Sequence, residues 1–75
     1  MSGLPLISSE KLCTILSKAG YIVDHQKESH IILRRCEFPY RRLTVPNRRE
    51  IPKGTLRAIL RQSGMTVEEF KEMMR

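Results

Sequence analysis

Aromatic residues, cysteines and histidines are all scarce in this chain of 75 residues. Aromatic residues make up 5 % of it and tryptophan is absent. Proteins that bind single-stranded nucleic acid stack bases on aromatic side chains, so that mode of binding has little support here. Cys13 and Cys36 lie far apart without a C-x-x-C spacing, and neither histidine is spaced to complete a zinc site with them. We expect two reduced, buried thiols in a cytoplasmic protein.

The chain also lacks a long apolar run and a compact group of carboxylates. No stretch approaches the length of a membrane span, and the short apolar run within residues 4–7 has no basic flank, so we expect neither a membrane helix nor a signal peptide. Glu28, Glu37 and Glu50 are scattered, and no pair has the spacing of a metal-binding nuclease centre. The sequence therefore predicts no metal and no cofactor.

Basic charge, in contrast, is abundant and concentrated in one part of the chain. Fourteen Lys and Arg stand against eight Asp and Glu, which gives a net charge of +6. Residues 27–61 hold ten basic and three acidic side chains, whereas the remainder holds four and five. Arginine outnumbers lysine, which favours forked contacts with phosphate. This asymmetry indicates a polyanionic partner, most simply nucleic acid; the alternative is a basic surface that only aids solubility.

The length and the hydrophobic periodicity predict one small α+β domain over residues 1–75. A chain of this size has room for a single two-layer core. After a loose lead-in at residues 1–7, Ser8 or Ser9 caps a helix that ends at Gly20. Three strands follow as an antiparallel meander with tight connections. We expect these strands at residues 21–26, 30–35 and 41–45.

Two more helices complete the predicted fold. The second has an apolar stripe at Leu56, Ile59 and Leu60 and ends at Gly64. The pattern Thr66-x-x-Glu69 is typical of a capping box and begins a short third helix. The predicted order is therefore α-β-β-β-α plus a short C-terminal helix, with the helices on one face of a three-stranded antiparallel sheet.

His30 is the candidate functional residue, because it follows a polar turn and begins an apolar strand. Side chains alternate along a strand, so Ile31 and Leu33 should be buried while His30 meets solvent on the opposite face. That face should be basic and polar, with the loop after the third strand beside it. The residues expected there are Arg34, Arg42, Thr44, Arg48 and Arg49.

An exposed imidazole among cations suits cleavage of RNA. It can accept the proton of a 2′-hydroxyl, whose oxygen then attacks phosphorus, while cations stabilise the phosphoryl charge. Lys27 is the nearest candidate for a phosphate contact, and Ser29 either binds phosphate and orients His30 or only caps the turn. His25 is interpreted as a half-exposed strand residue. The expected RNA contacts are Lys27, Ser29, Arg34, Arg42, Arg48 and Arg49.

Three separated motifs resemble the HicA family of small toxin endoribonucleases. They are Lys27-x-Ser29-His30 before an apolar strand, Thr44-Val45-Pro46-Asn47, and Ile51-Pro52-Lys53-Gly54-Thr55-Leu56-Arg57-x-Ile59-Leu60-Arg61-Gln62-x-Gly64. The helix that ends at Gly20 fits as well. The resemblance covers about residues 8–70 and is most specific in the third motif.

The resemblance implies a fold like a double-stranded RNA-binding domain and metal-independent cleavage of mRNA, with His30 as the catalytic residue. It also implies a HicB-type antitoxin protein that covers the active surface. The family typically has glycine where this chain has Glu28, and many relatives have histidine where it has Arg48. These departures bring a carboxylate near the expected phosphate path and leave a single well-placed imidazole. Two other functions stay open: a non-catalytic module that reads duplex RNA by shape, and a degenerate homologue that only binds its antitoxin.

Overall fold

A computed structural model describes residues 3–74 of the chain. Its elements are α1 (Ser9–Lys18), β1 (Tyr21–Lys27), β2 (His30–Arg35), β3 (Arg42–Pro46), α2 (Lys53–Ser63) and α3 (Val67–Met73). The strands form one antiparallel sheet in the order β1-β2-β3. The predicted fold class is confirmed. None of the helices between residues 3 and 74 is long and apolar enough to cross a bilayer.

The helices begin and end where their capping residues place them. Ser8, rather than Ser9, is the N-cap of α1, and its hydroxyl accepts a hydrogen bond from a backbone N–H of the first turn. Thr66 and Glu69 form the predicted capping box of α3. The helix α2 ends at Gly64, whose φ of 81° lies in the left-handed region that glycine adopts without strain.

The helices share one apolar layer with the inner face of the sheet. The helix α1 packs against β1 and β3, α2 packs against β3, and α3 packs against α2. Burying one Leu or Ile side chain contributes about 1.5–3 kcal/mol, so this layer stabilises the arrangement of all six elements. Its most deeply buried side chains are Tyr21, Phe70, Leu12, Ile15, Leu16, Leu33, Leu43, Ile51, Leu56, Leu60 and Val45.

The segment before α1 has no regular secondary structure, yet it is part of the core. Leu4 and Ile7 are 3 % and 4 % exposed. The backbone N–H of Ile51 donates to the carbonyl oxygen of Ile7 at 2.9 Å, which fixes the segment against the loop before α2. The prediction of a loose lead-in is therefore wrong for residues 3–7, because Leu4 and Ile7 close an edge of the core, while Leu6 between them is exposed. The rest of the predicted lead-in, residues 1 and 2, lies outside the described residues.

The two cysteines lie in different environments, and both are free thiols. Cys13 is partly buried on α1, and burial raises the pKa of its thiol. Cys36 is exposed, so the expectation of a buried thiol is wrong there. The strand β2 ends at Arg35, and Cys36 opens the exposed connection to β3.

The turn between β1 and β2 consists of Glu28 and Ser29, since Lys27 and His30 are paired. Glu28 has a φ of 56°, and it is the one non-glycine residue between residues 3 and 74 with a positive φ. Two-residue hairpin turns require such a conformation at their first position, where glycine is favoured because it has no Cβ. Glu28 therefore costs the fold about 1 kcal/mol of backbone strain.

We expect Glu28→Gly to raise the free energy of unfolding by up to about 1 kcal/mol, because glycine adopts this φ without a Cβ clash. Equilibrium unfolding in urea measures the change. The matched control is Glu50→Gly, which also removes an exposed loop carboxylate but at a residue without a positive φ. The Glu50→Gly variant should have a lower free energy of unfolding, since glycine increases the conformational entropy of the unfolded chain. Equal losses in the two variants would contradict strain at Glu28.

Candidate functional site

The open face is the side of the sheet that points away from the helices. Directly paired residues of antiparallel strands lie on the same face, so the register identifies its members. The pairs on the open face are Ile22 with Arg34, His25 with Ile32, Lys27 with His30, Ile32 with Thr44, Arg34 with Arg42, and His30 with Pro46. The predicted alternation along β2 and β3 is confirmed, because the intervening residues Ile31, Leu33, Leu43 and Val45 are buried.

His30 is exposed at the start of β2, as predicted. Its neighbours across the sheet are Lys27 on β1 and Pro46 on β3. Directly opposite residues have Cβ atoms about 4.5–5.5 Å apart, so the flexible Lys27 side chain can bring its ammonium group beside the imidazole. A proton-accepting ring and a phosphate-binding cation are thus adjacent at one end of the open face.

Asn47 ties the turn before His30 to the first helix. Its backbone N–H donates to the carbonyl oxygen of Ser29 at 2.7 Å, and its Oδ1 accepts a hydrogen bond from the hydroxyl of Ser9 at 3.0 Å. Ser9 is only 4 % exposed, and its own N–H donates to the carbonyl oxygen of Arg48 at 2.9 Å. The position of His30 therefore depends on the loop after β3 and on the start of α1, as well as on its own strand.

Asp24 is the centre of a charge cluster on the open face that the sequence analysis missed. Its Oδ2 lies 3.0 Å from Nδ1 of His25, and its Oδ1 lies 3.2 Å from Nε of Arg34. Nη1 of Arg42 is 3.8 Å from Oδ2. The hydrogen bonds from His25 and from Arg34 hold the pKa of the Asp24 carboxyl below its ordinary value. Asp24 is therefore a carboxylate at neutral pH.

A β-bulge brings Asp24 to this face. Val23 pairs with Leu33 and His25 pairs with Ile32, so Asp24 is an extra residue of β1 that has no partner in β2. Consecutive side chains of a regular strand point to opposite faces, whereas the bulge lets Asp24 and His25 reach the same one. The available signal in the sequence was an aspartate inside a strand, where this residue is disfavoured.

Arg48 and Arg49 lie on the other side of the sheet from His30. They line a groove between α1 and the inner side of β1, to which Cys13, Val23 and Gln26 also contribute. The expectation that both arginines lie beside the open-face residues is wrong, because the hydrogen bond from Ser9 to Arg48 turns the loop after β3 toward α1. Their contact with RNA stays a prediction, as do the contacts of Lys27, Ser29, Arg34 and Arg42.

The acidic and histidine side chains do not form a metal-binding group within residues 3–74. No set of three or more His, Cys, Asp or Glu in that range lies close enough to hold a metal ion. Asp24 and His25 are in contact, but the other neighbours of the Asp24 carboxylate are the guanidinium groups of Arg34 and Arg42. The cations that the Asp24 carboxylate contacts are therefore side chains of the protein.

The fold and the site define a small basic α+β protein that presents a histidine and several cations on an open sheet face. A family model described as the HicA toxin of bacterial toxin-antitoxin matches residues 9–65, which is more than half of the chain. The chain therefore belongs to the HicA toxin family, and its role is that of a toxin with an antitoxin partner. Comparisons with curated proteins and with solved structures give no significant match, so the likeness to a double-stranded RNA-binding domain stays a prediction.

We expect Asn47→Ala to lower the free energy of unfolding by about 1–3 kcal/mol, because it removes the acceptor of the buried Ser9 hydroxyl. Urea unfolding measures the loss. Asn47→Asp is the matched control, since it keeps an oxygen at Oδ1 and should retain most of the stability. If the alanine variant were as stable as the unchanged chain, Asn47 would not anchor the site.

Proposed function

We propose that the chain is an endoribonuclease toxin that cleaves mRNA in the cytoplasm without a metal, with His30 as its general base and acid. The observation that carries the proposal is the exposure of His30 on a cationic face, in a member of the HicA toxin family. The surrounding cations attract the phosphates of RNA and so bring the substrate to the imidazole of His30. Lys27, Arg34 and Arg42, which lie on the open face, all belong to the basic segment 27–61.

In the proposed reaction, His30 accepts the proton of a ribose 2′-hydroxyl, and the freed oxygen attacks the adjacent phosphorus. The ammonium group of Lys27, opposite His30, stabilises the charge on the phosphoryl oxygens. General base catalysis of this kind contributes typically ~10²–10⁴-fold.

Two arginines extend the proposed RNA path along the sheet. Arg34 and Arg42 are paired across β2 and β3, and Asp24 engages one nitrogen of each. A guanidinium group carries five N–H donors, so both arginines retain donors for phosphates that follow the reacting one. Arg48 and Arg49 follow Asn47, whose backbone N–H is hydrogen-bonded to Ser29 in the turn before His30. An RNA strand that passes His30 can therefore reach these two arginines around this end of the sheet.

A HicB-type antitoxin is the proposed protein partner. The open face presents His30 and the cations without cover from any element within residues 3–74, so a protein bound there would block access of RNA to the imidazole. Acidic side chains on the antitoxin would complement the arginines.

The alternative is that the chain binds RNA or its antitoxin without cleaving RNA. Glu28 favours this alternative, because it places a carboxylate in the turn that adjoins both Lys27 and His30. RNA affinity cannot separate cleavage from non-catalytic RNA binding, since both predict salt-sensitive binding of RNA. An assay of RNA cleavage separates the two functions.

We expect the chain to cleave RNA and not the matching DNA, with equal rates in the presence and absence of EDTA. His30→Ala should reduce the rate by about 10²–10⁴-fold while the fold survives, because the side chain is exposed. Gel analysis of a labelled transcript measures the rates, and circular dichroism checks the fold. Persistent cleavage by His30→Ala would exclude His30 as the base. Salt-sensitive binding without any cleavage by the unchanged chain would establish the non-catalytic alternative.

We expect Lys27→Ala to weaken RNA binding and to make the slope of log K against log[salt] shallower by about 0.7, the value for one phosphate contact on a single strand. Titrations of fluorescent RNA at several salt concentrations measure this slope. Lys18→Ala is the matched control, because Lys18 lies at the end of α1 away from Ser9 and Asn47. Equal slopes for the two variants would remove Lys27 from the proposed RNA path.

A further inference from the structure

The open face carries two histidines rather than one. His25 pairs with Ile32 and His30 pairs with Lys27, so the two imidazoles stand on neighbouring strands in a diagonal relation. Diagonal neighbours on one face of an antiparallel pair are about 7–8 Å apart. The side chain of His25 is 52 % exposed, so solvent and substrate reach it. A phosphodiester can therefore lie between the two rings.

The contact with Asp24 determines which nitrogen of His25 faces the substrate. An ionised carboxylate only accepts hydrogen bonds, so the proton on Nδ1 of His25 points to Oδ2 of Asp24, 3.0 Å away. Nε2 is left for a substrate. In the doubly protonated ring, Nδ1 keeps its proton on Oδ2 of Asp24, and Nε2 carries the second proton and is the donor. Arg34 binds the other carboxylate oxygen, Oδ1, at 3.2 Å, and Nη1 of Arg42 lies 3.8 Å from Oδ2.

The proposed cleavage requires a proton donor in addition to a base. The attacking 2′-oxygen and the leaving 5′-oxygen lie on opposite sides of the phosphorus in an in-line displacement. A base beside the first oxygen is then poorly placed to protonate the second in the same step. A second imidazole on the neighbouring strand can lie beside the leaving oxygen, so the role of the acid passes from His30 to that residue.

We infer that His25 is a second catalytic residue, which protonates the leaving 5′-oxygen, and that Asp24 is its positioning residue. This inference rests on the proposed cleavage of RNA. His30 takes the proton from the 2′-hydroxyl, the O2′–P bond forms, and the P–O5′ bond breaks as Nε2–H of His25 gives its proton to O5′. The products are a 2′,3′-cyclic phosphate and a 5′-hydroxyl. Proton exchange with water then returns both imidazoles to their starting states.

The test uses an oligoribonucleotide that spans a site cleaved by the unchanged chain, made with oxygen or with sulfur at the leaving 5′ position. A thiolate departs without being protonated, so the sulfur substrate does not need the general acid. We expect His25→Ala to cleave the oxygen substrate about 10²–10⁴-fold more slowly and the sulfur substrate at nearly the unchanged rate. His30→Ala, the matched control on the adjacent strand, should be slow on both substrates.

Asp24→Asn should show a smaller loss on the oxygen substrate, which the sulfur substrate also restores, because the amide no longer fixes the Nδ1 proton and the ring orientation of His25. His25→Gln repeats the test with a side chain closer in size, and circular dichroism checks that each variant is folded. A merely structural role of Asp24 or His25 would slow both substrates equally.

Three outcomes overturn the inference. Unchanged cleavage of the oxygen substrate by His25→Ala and His25→Gln, or equal losses on both substrates, would remove His25 as the acid while leaving cleavage through His30 intact. If the unchanged chain leaves full-length transcripts and both oligonucleotides intact, the proposed function fails, and the role of His25 fails with it.

Discussion

The pleat of the central strand β2 is the constraint on which the rest of the molecule depends. Ile31 and Leu33 are buried under the helices and pair with Val45 and Leu43, which are buried as well. A shift of one residue in this pairing would expose both apolar side chains and turn His30 into the core. At about 1.5–3 kcal/mol for each apolar side chain, the free energy of burial fixes the register and therefore the face on which His30 lies.

The open face is less cationic than the sequence suggests, because Asp24 lies among its arginines. The bulge in β1 places this carboxylate within 3.2 Å of Arg34 and 3.8 Å of Arg42. A phosphate that binds there shares both guanidinium groups with Asp24, and this sharing weakens the binding of the phosphate. The contacts with Asp24 also orient the two arginines before a phosphate binds. Lys27, at the other end of the face beside His30, has no such carboxylate in its strand pair. The structure thus separates a pair of arginines that contact Asp24 from the lysine beside His30.

The departures from the family pattern have different structural consequences. Glu28 adopts the positive φ that glycine adopts more readily, so its cost is strain in the turn as well as charge near the phosphate path. Arg48 lines the groove beside α1, on the other side of the sheet from His30. The second imidazole of this chain is His25, whose place on the open face depends on the same bulge that presents Asp24.

The sequence by itself determined the order of the elements, the caps at Thr66 and Gly64, the inward alternation of β2 and the exposure of His30, because each follows from a local period or a local cap. Only the tertiary structure decided where Asp24, Arg48 and the segment 3–7 lie. The bulge exists only in relation to the register of β2, and the loop after β3 is directed by hydrogen bonds from Ser9 to Arg48 and to Asn47. The segment 3–7 closes an edge of the core that forms only when α2 and the sheet have packed. These features join residues that are distant in sequence, so a local pattern, such as the aspartate inside β1, signals an irregularity without showing where the side chain lies.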